Sequence, residues 1–102
     1  MDRLSALREI LLDNPEDNFA RYGLAMELAK QGNLAEAVSE FNHLLSMNPD
    51  YIAAYYHTGQ TLENLGQYDD ARKIYLKGIE VASRLKDNKA KGELESVLEL
   101  LG

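Results

Sequence analysis

Cysteine is missing from all 102 residues, so this chain has neither a disulfide framework nor a thiolate site, and a cytoplasmic setting is the economical expectation. Long apolar runs are missing too. The longest, Tyr51 to Tyr56, falls far short of the roughly 20 residues that a membrane-crossing helix needs. The start, Met1-Asp2-Arg3-Leu4-Ser5, lacks the apolar stretch of a secretory signal. Basic residues are scarce where the chain begins: residues 1–70 hold 4 basic against 12 acidic side chains, a balance of −8. Residues 71–102 hold 7 against 5, a balance of +2. Nucleic-acid binding needs a concentrated basic face to displace counterions from phosphates, and a chain of net charge −6 is mostly of the wrong sign. The one candidate patch, Arg72, Lys73, Lys77, Arg84, Lys86, Lys89 and Lys91, reads as a solvated face, with Glu80 at helical spacing from Lys77 and Arg84. A hydrophobic content of 45% in a chain of this length is enough for one domain with a modest core.

The groups that catalysis requires are equally sparse. His43 and His57 stand far apart, no H-E-x-x-H spacing occurs, and no Ser-His-acid arrangement can be drawn. Gly23, Gly32, Gly59, Gly66, Gly78 and Gly92 are isolated and form no phosphate-binding loop. No enzymatic activity, metal or cofactor is expected. His57 is better read as a packing or surface residue than as a ligand or acid/base.

What the chain does have is a register that recurs after 34 residues. Pro15 returns as Pro49, Ala20 as Ala54, Tyr22 as Tyr56, Leu28 as Leu62, Gly32 as Gly66 and Ala37 as Ala71. Conservative pairs fill the same register: Ala25 with Gly59, Leu34 with Tyr68, Phe41 with Tyr75, Leu45 with Ile79. Spacing and residue types resemble the tetratricopeptide repeat, whose 34-residue unit is a helix-turn-helix. The second unit carries Tyr55 where that family has Trp, then Gly59, Leu62, Gly66, Tyr68, Ala71 and Tyr75; the first carries Leu24, Ala25, Leu28, Gly32, Leu34, Ala37, Phe41 and Pro49. Arg21, Thr58 and Ser83 depart from the pattern, which puts local packing in question there.

The resemblance implies an all-α fold: a short right-handed superhelical solenoid of antiparallel helix pairs, about six helices in one domain. Residues 1–14 would be a leading half-repeat helix, 15–48 and 49–82 the two repeats, and 83–102 a capping helix. The two terminal helices favour a domain complete as written. Gly32-Asn33 and Gly66-Gln67 close one helix and open the next, and Asn33 stands before Glu36 at capping-box spacing. Pro15 and Pro49 separate the units, giving helices near 17–31, 34–47, 51–65 and 68–84. Leu4, Leu7, Ile10 and Leu11 continue the register towards the start. Leu94, Val97, Leu98 and Leu101 form one helical stripe near the end, displaced by two residues from the register.

In the family, the first helix of each unit lines a concave groove that receives a peptide. The corresponding candidates are Phe19, Tyr22 and Met26 in the first unit and Tyr56 and Gln60 in the second, with Tyr51 just before. Aromatic rings and Met give large contact areas with few rotors to freeze. The bland alternative buries Phe19 and Tyr22 under the first helix and Tyr56 under the last. One branch of the family clamps chaperone carboxylates with Lys, Asn and Arg; Tyr22, Met26 and His57 stand in those places, so that specialisation is not expected. The expected function is a non-catalytic protein-interaction module for a protein or peptide partner with apolar anchors, without nucleic acid or membrane. The alternative is self-assembly into a homo-oligomer through the terminal helices.

Overall fold

In the computed structural model, residues 2–102 are described. They form six helices and no strand: α1 (Arg3–Asp13), α2 (Asn18–Lys30), α3 (Leu34–Met47), α4 (Ile52–Asn64), α5 (Tyr68–Leu85) and α6 (Asn88–Leu101). Helix starts are marked by side-chain caps. Asp2, Asp17 and Asp87 accept the backbone N–H of Ser5, Ala20 and Ala90 at 2.8, 2.9 and 3.0 Å, satisfying donors that the first turn leaves open. Asn33 makes no such bond, so the expected capping box at α3 is not formed.

Helices α2 and α4 stop at Gly32 and Gly66, whose φ angles of +84° and +78° lie in the left-handed region. There the amides of Asn33 and Gln67 reach back to the carbonyls of Leu28 and Leu62, both at 2.9 Å, closing the last turn. Helix α5 ends in the same way without a glycine: Lys86 adopts φ +59° and the Asp87 amide bonds the Ala82 carbonyl at 2.9 Å. A side chain in that conformation costs about 1–2 kcal/mol. With Ser83 where a repeat would close on proline, α5 runs on to 18 residues. The expected boundary between residues 82 and 83 therefore falls inside a continuous helix, and α6 begins only at Asn88.

The other two departures from the repeat pattern are explained by hydrogen bonds. Tyr55 Oη donates to the carbonyl of Pro49 at 2.6 Å, fastening α4 to its leading turn. Arg21, 34 places earlier, does the same with different chemistry: its guanidinium donates to the carbonyl of Pro15 at 3.0 Å and to Glu40 of α3 at 2.6 Å. Thr58 is fully buried where the first unit has Leu24, and its hydroxyl donates to the Ala54 carbonyl at 2.6 Å. Of the basic patch, Arg72 pairs with Asp69 and Lys77 with Glu80 along α5, while Arg84 reaches across to Asp50.

Packing places Phe41, Leu44, Leu28, Tyr75 and Leu94 fully inside, in two clusters that follow one another along the stack. Each such side chain contributes roughly 1.5–3 kcal/mol by leaving water. Small residues set the spacing. A Cβ on Gly59 would lie 2.0 Å from the Tyr75 ring, and one on Gly78 would lie 2.7 Å from Cβ of Tyr55 and 2.9 Å from Leu94. Backbone contact runs from each helix to the next, and also directly from α2 to α4 and from α4 to α6. No direct backbone contact joins α1 to α3 or α3 to α5. Between α3 and α5 there is instead an open cleft of about 370 Å3, its floor including Val38, Asn42, Asp70 and Ile74. Three helices touching on one side and splayed on the other make a curved stack, concave along α2, α4 and α6.

Candidate functional site

The concave surface is assembled from the first turns of α2 and α4, the turn before α4, and one face of α6. Phe19 projects from α2 with 78% of its surface exposed, so it does not pack beneath α1. Tyr22, one turn on, is half-buried and meets three rings: Phe41 at 6.3 Å, Tyr51 at 5.2 Å and His57 at 5.9 Å between centroids. Its ring contacts with Tyr51 and His57 place it in the seam between α2 and α4. Burial, with Tyr51 nearby, pushes its hydroxyl pKa above the ordinary value. Met26 is half-buried beside this group and leans on the core.

Tyr51 owes its place to an exchange of duties. It is the residue before α4, the position that Asp17 holds before α2, yet it makes no side-chain cap. A missing cap costs about 1 kcal/mol, and an aromatic pair returns about 0.5–1.5 kcal/mol. The chain has a ring in the seam in place of a cap.

Tyr56 stands at the second seam, between α4 and α6, its ring 5.3 Å from His57 and nearly perpendicular to it. A depression of about 550 Å3 opens there, lined by Ala53, Tyr56 and His57 of α4 and Glu93, Ser96 and Val97 of α6. Burial holds the His57 imidazole below its ordinary pKa, favouring the neutral ring. Gln60 is less free than its spacing suggests. Its amide donates to Tyr75 Oη at 2.7 Å and to Glu63 at 3.2 Å, and Tyr75 in turn donates to Glu63. Burial, and then the bond to Glu63, drive the Tyr75 hydroxyl far above its ordinary pKa, against the opposing bond from Gln60; Gln60 chiefly fastens α4 to α5.

Of the six candidates, then, Tyr22, Met26 and Tyr51 gather at the first seam and Tyr56 at the second, Phe19 stands in solvent one turn before Tyr22, and Gln60 serves a polar bond between helices. Glu93, Ser96 and Val97 were not among them. The two-residue slip that brings Leu94 over the Leu24 position was the available signal, because it also carries Glu93 opposite His57. Among the described residues no group of three His, Cys, Asp or Glu side chains could hold a metal ion. No helix among them is long and apolar enough to cross a membrane.

Stacked antiparallel helix pairs with an inner row that leaves a concavity define an α-solenoid of helical-hairpin repeats. The tetratricopeptide repeat model matches residues 4–50 and 22–85, and the chain belongs to that family. Solved structures agree. A tetratricopeptide repeat domain protein from Salinibacter ruber is 40% identical, with a TM-score of 0.81 over 86% of this chain and 89% of its own. Two complexes share the fold at lower identity. The TPR2B domain of yeast Sti1 with an Hsp70 peptide has a TM-score of 0.89 at 18% identity, covering 96% of this chain and 78% of its own. PcrH with the chaperone-binding region of PopD has 0.88 at 14%, covering 96% and 74%.

Proposed function

We propose that this protein is a non-catalytic interaction module that holds a short segment of a partner protein along α2, α4 and α6, with apolar side chains of the segment against Phe19, Tyr22, Met26, Tyr51 and Tyr56. The observation carrying this reading is Phe19. A phenyl ring with 78% of its surface in water, one helical turn from the half-buried Tyr22, has no role in the core. The two neighbours of the same fold that hold a peptide lend support. The cytoplasmic setting expected from the absence of cysteine belongs to this proposal.

Three inner helices spaced by about 8–10 Å span about 20 Å, room for about six residues of extended chain. Such a contact is smaller than a standard interface of about 1,600 Å2, so micromolar affinity and rapid exchange are expected. The test is selection from a displayed library of random peptides, followed by titration against wild type and the Tyr22→Ala/Tyr56→Ala double variant. Binding should fall at least about tenfold. Because Tyr22 also touches Phe41, Phe19→Ser serves as a second variant whose exposed site cannot unsettle the fold, with a loss of several-fold expected. Unchanged affinity in both would place the site elsewhere.

Pairing between copies through the end helices is the second reading, favoured by Leu12 and Leu100, which are 81% and 87% exposed. Glu95 speaks against a simple continuation of the stack. It is the α6 counterpart of Gly59, and Gly59 is where the Tyr75 ring of a following helix lies. Light scattering across a concentration series separates the two, since a monomer throughout removes this one.

A further inference from the structure

The depression between α4 and α6 differs from the rest of the concave face in being polar, and its polar atoms are mostly acceptors. Glu93 contributes a carboxylate that forms no ion pair among the described residues. Ser96 has already given its proton to the Gly92 carbonyl at 2.9 Å, so its oxygen faces outward as an acceptor. His57, held neutral by burial, keeps one ring nitrogen able to accept. No lysine or arginine lines the depression, and α4 from Ile52 to Asn64 contains none. On its walls' own elements the cations are Lys89 and Lys91 at the start of α6, and neither is paired with Glu93. Ala53 and Val97 supply apolar walls, and Tyr56 supplies an aromatic ring.

We propose that this depression is a pocket for a lysine or arginine side chain of the bound segment, with Glu93 as counter-charge and Ser96 as a further acceptor. The inference rests on the groove reading above and assigns the chemistry of one position of the partner. A long cationic side chain suits such a site in each of its parts: the methylene stem lies along Ala53 and Val97, the charged head meets the Glu93 carboxylate and the Ser96 oxygen, and the Tyr56 ring attracts a cation over its face. An acidic side chain would meet the Glu93 carboxylate at close range, with only the neutral donors of Tyr56 and His57 and no cation on the lining to offset the repulsion. A purely apolar one would strip water from the Glu93 carboxylate without replacing it. The acidic balance of the chain adds long-range attraction in the same sense.

The probe is a displayed library of random peptides of about twelve residues, twice the length the concavity spans, selected in parallel on wild type, Glu93→Gln and Glu93→Lys. Glu93 is exposed, so these variants keep the fold. Wild type should enrich Lys or Arg at a fixed spacing from an aromatic or leucine anchor. Replacing that cation by norleucine in the best synthetic peptide should weaken binding about tenfold on wild type and far less on Glu93→Gln. Glu93→Lys should select Asp or Glu at the same spacing while keeping the apolar anchor. Two results overturn the pocket and leave the groove standing: apolar anchors enriched without a cation, or Glu93→Lys retaining the same basic peptides at equal strength. Peptides indifferent to Tyr22→Ala/Tyr56→Ala would instead remove the groove, and the pocket with it.

Discussion

The two seams of the concave face grow from corresponding stretches of chain and present opposite surfaces. Between α2 and α4, Tyr22 is met by Tyr51 and His57, and the rings close the gap. Between α4 and α6, Asp87 stands where the other seam has Tyr51, caps its own helix, and leaves the gap open above Ala53 and Ser96. One position before a helix can thus serve the helix or serve the seam, and it does not do both. The concave face thereby has a filled apolar half and an open polar half, which under the two proposals above would receive an apolar and a charged anchor of the segment.

The comparison breaks most sharply at Gly78. Alanine there gains about 0.5–1 kcal/mol of helix preference, yet its Cβ would press on the stem of Tyr55 and on Leu94. Overpacking of this kind costs about 1–3 kcal/mol. A net loss of about 1–2 kcal/mol in urea denaturation is expected, with α6 displaced and the second seam deformed while the first remains. A smaller effect should follow from Tyr51→Asp, which turns the first seam into a copy of the second. The added cap and the missing ring pair are each worth about 1 kcal/mol with opposite sign, so stability should move by less than about 1 kcal/mol while affinity for an apolar anchor drops several-fold. Stability falling far beyond that would show Tyr51 to be a core residue.

The smallest effect is on pH. The folded-state pKa of His57 lies below its ordinary 6.5, so the unfolded chain binds the proton more readily. The stabilisation is therefore complete above that ordinary value and is lost as pH falls through the lowered one. Denaturation midpoints on either side of this window should decline on acidification in wild type and decline less in His57→Gln. Equal slopes would mean that the ring is as open to water in the fold as in the unfolded chain.

How much of this could be read beforehand follows from what a repeat must keep. Gly32 and Gly66 were legible because a left-handed helix end needs them, and Gly59 because a ring must pass over it. Arg21 was not, since the register asks for an aromatic there and only the folded turn reveals that a guanidinium can hold the Pro15 carbonyl as Tyr55 holds that of Pro49. Asn33 misled in the other direction: its spacing to Glu36 fits a capping box that its side chain does not make. Tyr22 and Phe19 were identified as groove candidates, but the partition of the surface into two seams was not, because it depends on the extra residues of α5 and on how α6 docks in consequence. Gly78 escaped for the same reason. Its need to be small comes from Leu94, a neighbour from a different chain segment that no local pattern encodes.

Because the inner helices touch and the outer ones stand apart across the cleft at Val38 and Ile74, the stack behaves as a row of plates joined along one edge. On the outer side the two helices are joined through side chains alone, Val38 and Leu45 packing against the cluster that holds Ala71 and Tyr75, so a slight rotation about that edge would widen or tighten the hollow by shifting those side chains and not by breaking a backbone contact between α3 and α5. We expect such compliance to lie in the curvature itself, so that on the function proposed above segments of somewhat different girth would meet the same side chains without any loop having to move.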